Sequence, residues 1–157
     1  MGLFSFLFKK KPEIAIQHPL FGQMTYVYNK LNKSSNYFRC EKYFRPASTK
    51  ITLNIAADVN GPTETQTNYF RSIEHHYTSM LPDIASRITT ATSSTGKKEP
   101  FFFDDFSKDF RLLAIYIATS NKTPIECMIT FLTDPAPNYD LVVELEDMEL
   151  IGVELME

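Results

Sequence analysis

Tyr69, Phe70, Ile73, Tyr77, Met80, Leu81, Ile84 and Ile88 recur three and four residues apart. That spacing places one apolar stripe along one side of a helix, which must then be covered. Thr63 and Gln66 precede the stripe at capping-box spacing, so two backbone donors at the helix start can be satisfied locally. Pro82 lies inside the run, removes one donor and crowds the preceding turn. A kink or two abutting helices is therefore expected. The Ser/Thr-rich residues 89–96 should end it.

Elsewhere the apolar period is two. Ile51, Leu53 and Ile55 face one way while Lys50, Thr52 and Asn54 face the other, which describes a strand with one covered and one wet face. Residues 21–29, 37–44 and 49–57 read as three strands joined by short links. Residues 110–119 and 125–133 read as two more, and 140–146 with 149–155 as a closing hairpin around Asp147 and Met148. Residues 97–108 read as a loop. The order is β-β-β-α-β-β-β-β. Segregated strands and helix imply an α+β fold, a mostly antiparallel sheet with one kinked helical stretch on one face. With 157 residues, the chain has room for one domain, placed at 18–157 behind an apolar and basic segment at 1–17.

Several function classes lack support. There is no apolar run near the length of a membrane-spanning helix. Cys40 and Cys127 read as buried, reduced thiols, which fits a cytoplasmic home. Residues 3–8 are largely apolar and are followed by Lys9, Lys10 and Lys11. They read as an unanchored end or a turn docked on the domain; the alternative is a peripheral membrane anchor made by residues 1–11. His75 and His76 are adjacent on the helix, about 100° apart, and cannot converge on one ion unaided. Asp104, Asp105 and Asp109 could serve as acid and base, yet nothing completes a constellation. No phosphate loop or nucleophile elbow is present. The expectation is a protein that is not an enzyme, with no cofactor and no metal. An enzyme using Asp104 or Asp105 with His75 or His76 is the alternative.

Charge is distributed unevenly. Residues 1–50 hold nine Lys/Arg and two acids, whereas residues 134–157 hold eight acids and no Lys or Arg. The basic end interleaves Arg39, Lys42, Arg45 and Lys50 with Tyr37, Phe38, Tyr43 and Phe44. That mixture suits single-stranded nucleic acid, but alternating strand faces account for it too, and nucleic acid is not expected as a partner. In the hairpin, Leu141, Val143 and Leu145 should face the core with Ile151, Val153 and Leu155. Asp140, Glu144, Glu146 and Glu154 should then share the open face. Like charges across a hairpin repel, so the arrangement either keeps a sheet edge soluble or receives a basic protein. Phe102 and Phe103, in the Phe-rich loop, are candidate anchors for the same partner, or plugs for the core.

The residues 18–22 (His-Pro-Leu-Phe-Gly) open the first strand, residues 51–55 form another, a helix follows Gly61 and Pro62, and a hairpin closes the chain. This layout resembles the small bacterial α+β families of immunity proteins from polymorphic toxin systems. Two positions depart from that pattern: His18 stands where an acid is common, and Tyr37 or Phe38 where a Trp is common. The resemblance implies a non-catalytic protein that occludes a cognate toxin or effector. Asp140, Glu144, Glu146, Glu154, Phe102 and Phe103 are then the expected contact residues.

Overall fold

The computed structural model describes residues 13–28, 36–92, 96–119, 121, 123–133 and 139–156. In chain order the elements are β1 (Ala15–His18), β2 (Gly22–Val27), β3 (Tyr37–Phe44), β4 (Thr49–Ala56), α1 (Glu64–Arg87), β5 (Thr90–Thr92), β6 (Lys98–Pro100), α2 (Phe106–Asp109), β7 (Phe110–Ile117), β8 (Glu126–Thr133), β9 (Asp140–Glu146) and β10 (Glu149–Met156). The strands form one sheet in the order β1-β2-β3-β4-β7-β8-β9-β10-β5-β6. The architecture is thus α+β, a mixed and mostly antiparallel sheet with one main helix.

Two antiparallel meanders make up the sheet. β1 to β4 form one, and β7 to β10 the other. They meet at β4 and β7, which pair in parallel, Thr52 opposite Ala114 and Ile55 opposite Ile117. A parallel neighbour requires the chain to travel back along the sheet before re-entering, and α1 lies on that return path.

The helix starts as its sequence dictates. Thr63 caps it, with a reciprocal bond between the Thr63 backbone and the Gln66 side chain. Gln66 is buried, and its Nε2 donates to the carbonyls of Ala56 and Ala118, both at 2.7 Å. Those residues sit at the ends of β4 and β7. One side chain therefore fixes the helix start against the parallel pair and satisfies two carbonyls that leave the sheet ladder. α1 runs through Pro82 as a single helix rather than as two.

Tyr69, Phe70, Ile73, Tyr77 and Ile84 of α1 are buried against Ile51, Leu53, Ile55, Ile115, Ile129, Phe131 and Val143 of the sheet. Each such side chain contributes roughly 1.5–3 kcal/mol on leaving water. Phe44 meets Tyr77 edge-on at 5.1 Å and Phe70 at 6.0 Å. Cys40 and Cys127 are free and buried, on β3 and β8, with β4 and β7 between them. Burial pushes the Cys40 thiol up to about 11 and the Cys127 thiol further in the same direction, so both stay protonated.

Three features depart from the sequence reading. β1 straddles the boundary set between residues 17 and 18, so the domain begins before His18. The stretch 97–108 is not all loop, since it holds β6 and the start of α2. Finally, β10 carries a bulge between Leu150 and Gly152. The extra residue shifts alternation by one, so Leu150 packs toward the core and Ile151 is turned outward, 49% exposed.

Candidate functional site: the open face of the sheet

Among the described residues, α1 covers one face of the sheet and the other is open. Across β8, β9 and β10 the register brings Glu126, Glu146 and Glu149 into one lateral row. Neighbouring positions in such a row stand about 5 Å apart at Cβ. The next row holds Met128, Glu144 and Gly152, and the one after it Thr130, Val142 and Glu154. A Cβ on Gly152 would lie 2.9 Å from Glu144 Oε2, so the glycine leaves room for that carboxylate to lie over β10.

Met128, Ile151 and Met156 are exposed apolar side chains among these acids. Two cavities adjoin here. One of about 230 Å³ is lined by Tyr116, Glu126, Met128, Glu144, Glu146 and Ile151. The second, about 530 Å³, includes Val142, Glu154, Thr90 and Lys98. Among the described residues the one ion pair joins Lys108 to Asp105 at 3.0 Å, so no described lysine or arginine is in ion-pair contact with the acidic rows; Lys98 lines the second cavity together with Glu144 and Glu154. Burial, and then the nearby Glu126 carboxylate, raises the Tyr116 phenol above its ordinary value.

Of the residues expected from sequence, Glu144, Glu146 and Glu154 come together on this face. Asp140 shares the face but lies opposite Met156, six residues along β9 from Glu146. That is about 20 Å away along an extended strand. Glu126 and Glu149 were missed. Glu126 belongs to a different stretch of sequence and joins the row only through the β8–β9 register; Glu149 opens β10 opposite Glu146, a pairing that the two-residue turn sets.

The Phe-rich segment divides. Phe102 is 89% exposed. Phe103, a candidate partner anchor or core plug, packs against Phe110 at 5.3 Å and Phe106 at 6.3 Å, and Phe101 meets Tyr139 edge-on at 5.6 Å. The triplet thus closes one part of the core and leaves one ring outside.

The acids considered for catalysis are taken up in local structure. Asp105 caps α2 by accepting from the Ser107 amide and pairs with Lys108, whose side-chain bond holds the Asp105 carboxyl below its usual value. Asp109 Oδ2 accepts from the amides of Asp104 and Asp105, both at 3.0 Å. His75 and His76 are both exposed on α1 and stack edge-on at 4.7 Å; His76 Nδ1 lies 2.9 Å from the Ser72 carbonyl. Among the described residues no group of three or more His, Cys, Asp or Glu could hold a metal ion, and no buried side-chain polar atom lacks a partner.

On β3 and β4 the open face has a different character. Phe38 and Phe44 point into the core, whereas Tyr37, Arg39, Glu41 and Tyr43 point out. Arg39 Nε donates to Asn54 Oδ1 at 2.9 Å and its Nη2 to the Tyr37 hydroxyl at 3.0 Å. Lys42, grouped with the outward charges on sequence, instead donates to the Leu20 carbonyl at 3.0 Å and lies over the Phe70 ring. The proposed anchor at residues 1–11 lies outside the described residues. Among the described residues no helix is long and apolar enough to cross a membrane. No family model, curated protein or solved structure matches this chain.

Proposed function

We propose that this protein is a non-catalytic binding module whose acidic sheet face, on β8 to β10, receives a positively charged protein. The observation that carries this reading is the row Glu126, Glu146 and Glu149, with Glu144 and Glu154 beside it and no described cation in ion-pair contact. Like charges held directly opposite each other weaken a sheet. A basic partner would relieve that repulsion, and the exposed Met128 and Ile151 would supply apolar area between the charged contacts. The field of the face would also speed encounter and disfavour acidic competitors.

A toxin or effector is the partner this reading favours, with the protein acting as an immunity-type inhibitor in the cytoplasm. Steric cover of the partner's active surface would suffice, so no bond need be made or broken. The test is affinity capture from the native host, followed by association kinetics of the captured protein. Against Glu146→Lys/Glu149→Lys, the on-rate at low salt should fall about tenfold or more. An unchanged on-rate and affinity would place the binding face elsewhere.

A further inference from the structure

Between β4 and β7 the sheet opens at one end. The two strands pair from Thr52 and Ala114 to Ile55 and Ile117, although β4 begins at Thr49 and β7 at Phe110. Their amino ends therefore run on without forming a ladder to each other. Leu113 is the residue that β7 gains where its register with β8 passes from Leu112 to Ala114, and an extra residue bends the strand that carries it. A cavity of about 390 Å³ lies against the parted ends, beneath the second half of α1. Gln66 closes the opposite, carboxyl end of the same strand pair.

Tyr77 gives this cavity its chemistry. It lines the space and is only 6% exposed. Phe44 meets its ring edge-on at 5.1 Å and Phe131 stacks on it at 6.4 Å, so the ring cannot swing its hydroxyl elsewhere. Among the described residues that hydroxyl has no hydrogen-bond partner. Burial alone pushes the phenol up to about 12, so it stays protonated and can both donate and accept. Among the described residues, no fully enclosed side-chain polar atom lacks a partner. The Tyr77 hydroxyl is therefore not fully enclosed, and the cavity is the space it reaches. A hydroxyl this buried is costly to leave unbonded, so whatever fills the cavity supplies the bond.

The remaining lining sets what can enter. Leu81, Phe106, Phe110 and Leu112 form apolar walls, with Phe106 and Phe110 stacked at 4.8 Å. No Asp or Glu lines the cavity. Two cations do, yet neither offers a free charge inside it. Lys108 is paired with Asp105 at 3.0 Å. Arg111 is exposed between the buried Phe110 and Leu112, on the side of β7 away from α1. An ion would thus leave water without a counter-charge. The volume is within the range of small-molecule sites. We propose that this cavity binds a small neutral molecule with an apolar body and one oxygen, such as a phenol, alcohol or ketone, held by a hydrogen bond to the Tyr77 hydroxyl. The site lies on the α1 side of the sheet and is separate from the acidic face.

p-Cresol, with toluene and p-toluate as its apolar and charged counterparts, tests the site by NMR titration of the full-length chain with isotope-labelled leucine methyls. p-Cresol should saturate with a Kd below about 1 mM and show intermolecular NOEs to the Leu81 and Leu112 methyls. p-Toluate should bind about tenfold or more weakly than p-cresol. Tyr77→Phe keeps the ring packing. It should weaken p-cresol about three- to tenfold and leave toluene no weaker; a thermal melt confirms that the variant is folded. No saturation by p-cresol at about 5 mM would mean that water alone serves the hydroxyl, and would overturn the inference. NOEs confined to other leucines would overturn it too. Equal weakening of p-cresol and toluene, or of neither, would remove Tyr77 as the recognising group. p-Toluate bound as tightly as p-cresol would remove the neutral class. The wild-type NOEs decide the location whether or not the variant folds. None of these results bears on capture of a basic partner by β8 to β10, which is read separately.

Discussion

Gln66 shows at the scale of one residue how the fold is fixed. Its side chain holds the carbonyls of Ala56 and Ala118 while completing the cap at Thr63. Gln66→Leu leaves two buried acceptors without a donor and should cost about 2–4 kcal/mol in urea unfolding; a loss under about 0.5 kcal/mol would show that water replaces it freely. The capping role was legible from Thr63 and Gln66 alone. The bond to Ala118, 52 residues away, was not, because nothing local marks a carbonyl that leaves the sheet ladder. His18 behaves likewise. Its Nδ1 accepts from the amides of Leu20 and Phe21 and its ring stacks on Phe21. Burial, then the Arg71 charge, lowers its pKa. The neutral ring is favoured in the fold, so this contribution is complete above the unfolded pKa and lost as pH falls through the folded one. Thermal melts from pH 7 to pH 5 should therefore fall more steeply for the wild type than for His18→Asn, which keeps an acceptor but does not titrate. Parallel pH profiles would exclude His18 as the source.

Among the elements, the β9–β10 hairpin governs the acidic face. Its turn residues Asp147 and Met148 both adopt positive φ, 45° and 72°. Such a two-residue loop matches the sheet twist, but Asp-Met lacks the glycine that usually relieves it. The conformation is held from outside. Asp147 Oδ1 accepts from the Ile125 amide at 2.8 Å, the Asp147 amide donates to the Ile125 carbonyl, and the Met148 amide donates to the Tyr69 hydroxyl at 3.2 Å. Asp147→Ala should cost about 1–2 kcal/mol, whereas Asp147→Asn, which keeps the acceptor and tolerates positive φ, should stay within about 0.5 kcal/mol. Equal losses in chemical denaturation would refute that role for Oδ1. The hairpin could be read from alternating Leu141, Val143 and Leu145. The bulge at Ile151 could not, since one inserted residue leaves no compositional mark and yet reverses which side chains face outward. The short β1 and β5 were hidden for another reason: few residues, set among prolines or serines and threonines, carry too little periodicity to register.

Over the whole molecule, the layout of charge is simpler than its sequence. Acids from residues 126, 144, 146, 149 and 154 converge because three adjacent strands share one register. The asymmetry between the chain's two ends announced an acidic face, but only the strand order shows that Glu126 belongs to it and that Asp140 stands apart. The same order sets a weakly basic half beside an acidic half on one open surface. A face built this way acts through encounter, so its contribution should weaken steeply with ionic strength. Carboxylate footprinting with a carbodiimide and an amine, read by mass spectrometry, compares the dilute protein alone with its complex with the captured partner. Protection is predicted at Glu126, Glu144, Glu146, Glu149 and Glu154, with Glu64 and Asp83 on α1 labelled equally in both states. Protection of the α1 acids, with the β8–β10 carboxylates still freely labelled, would contradict the account.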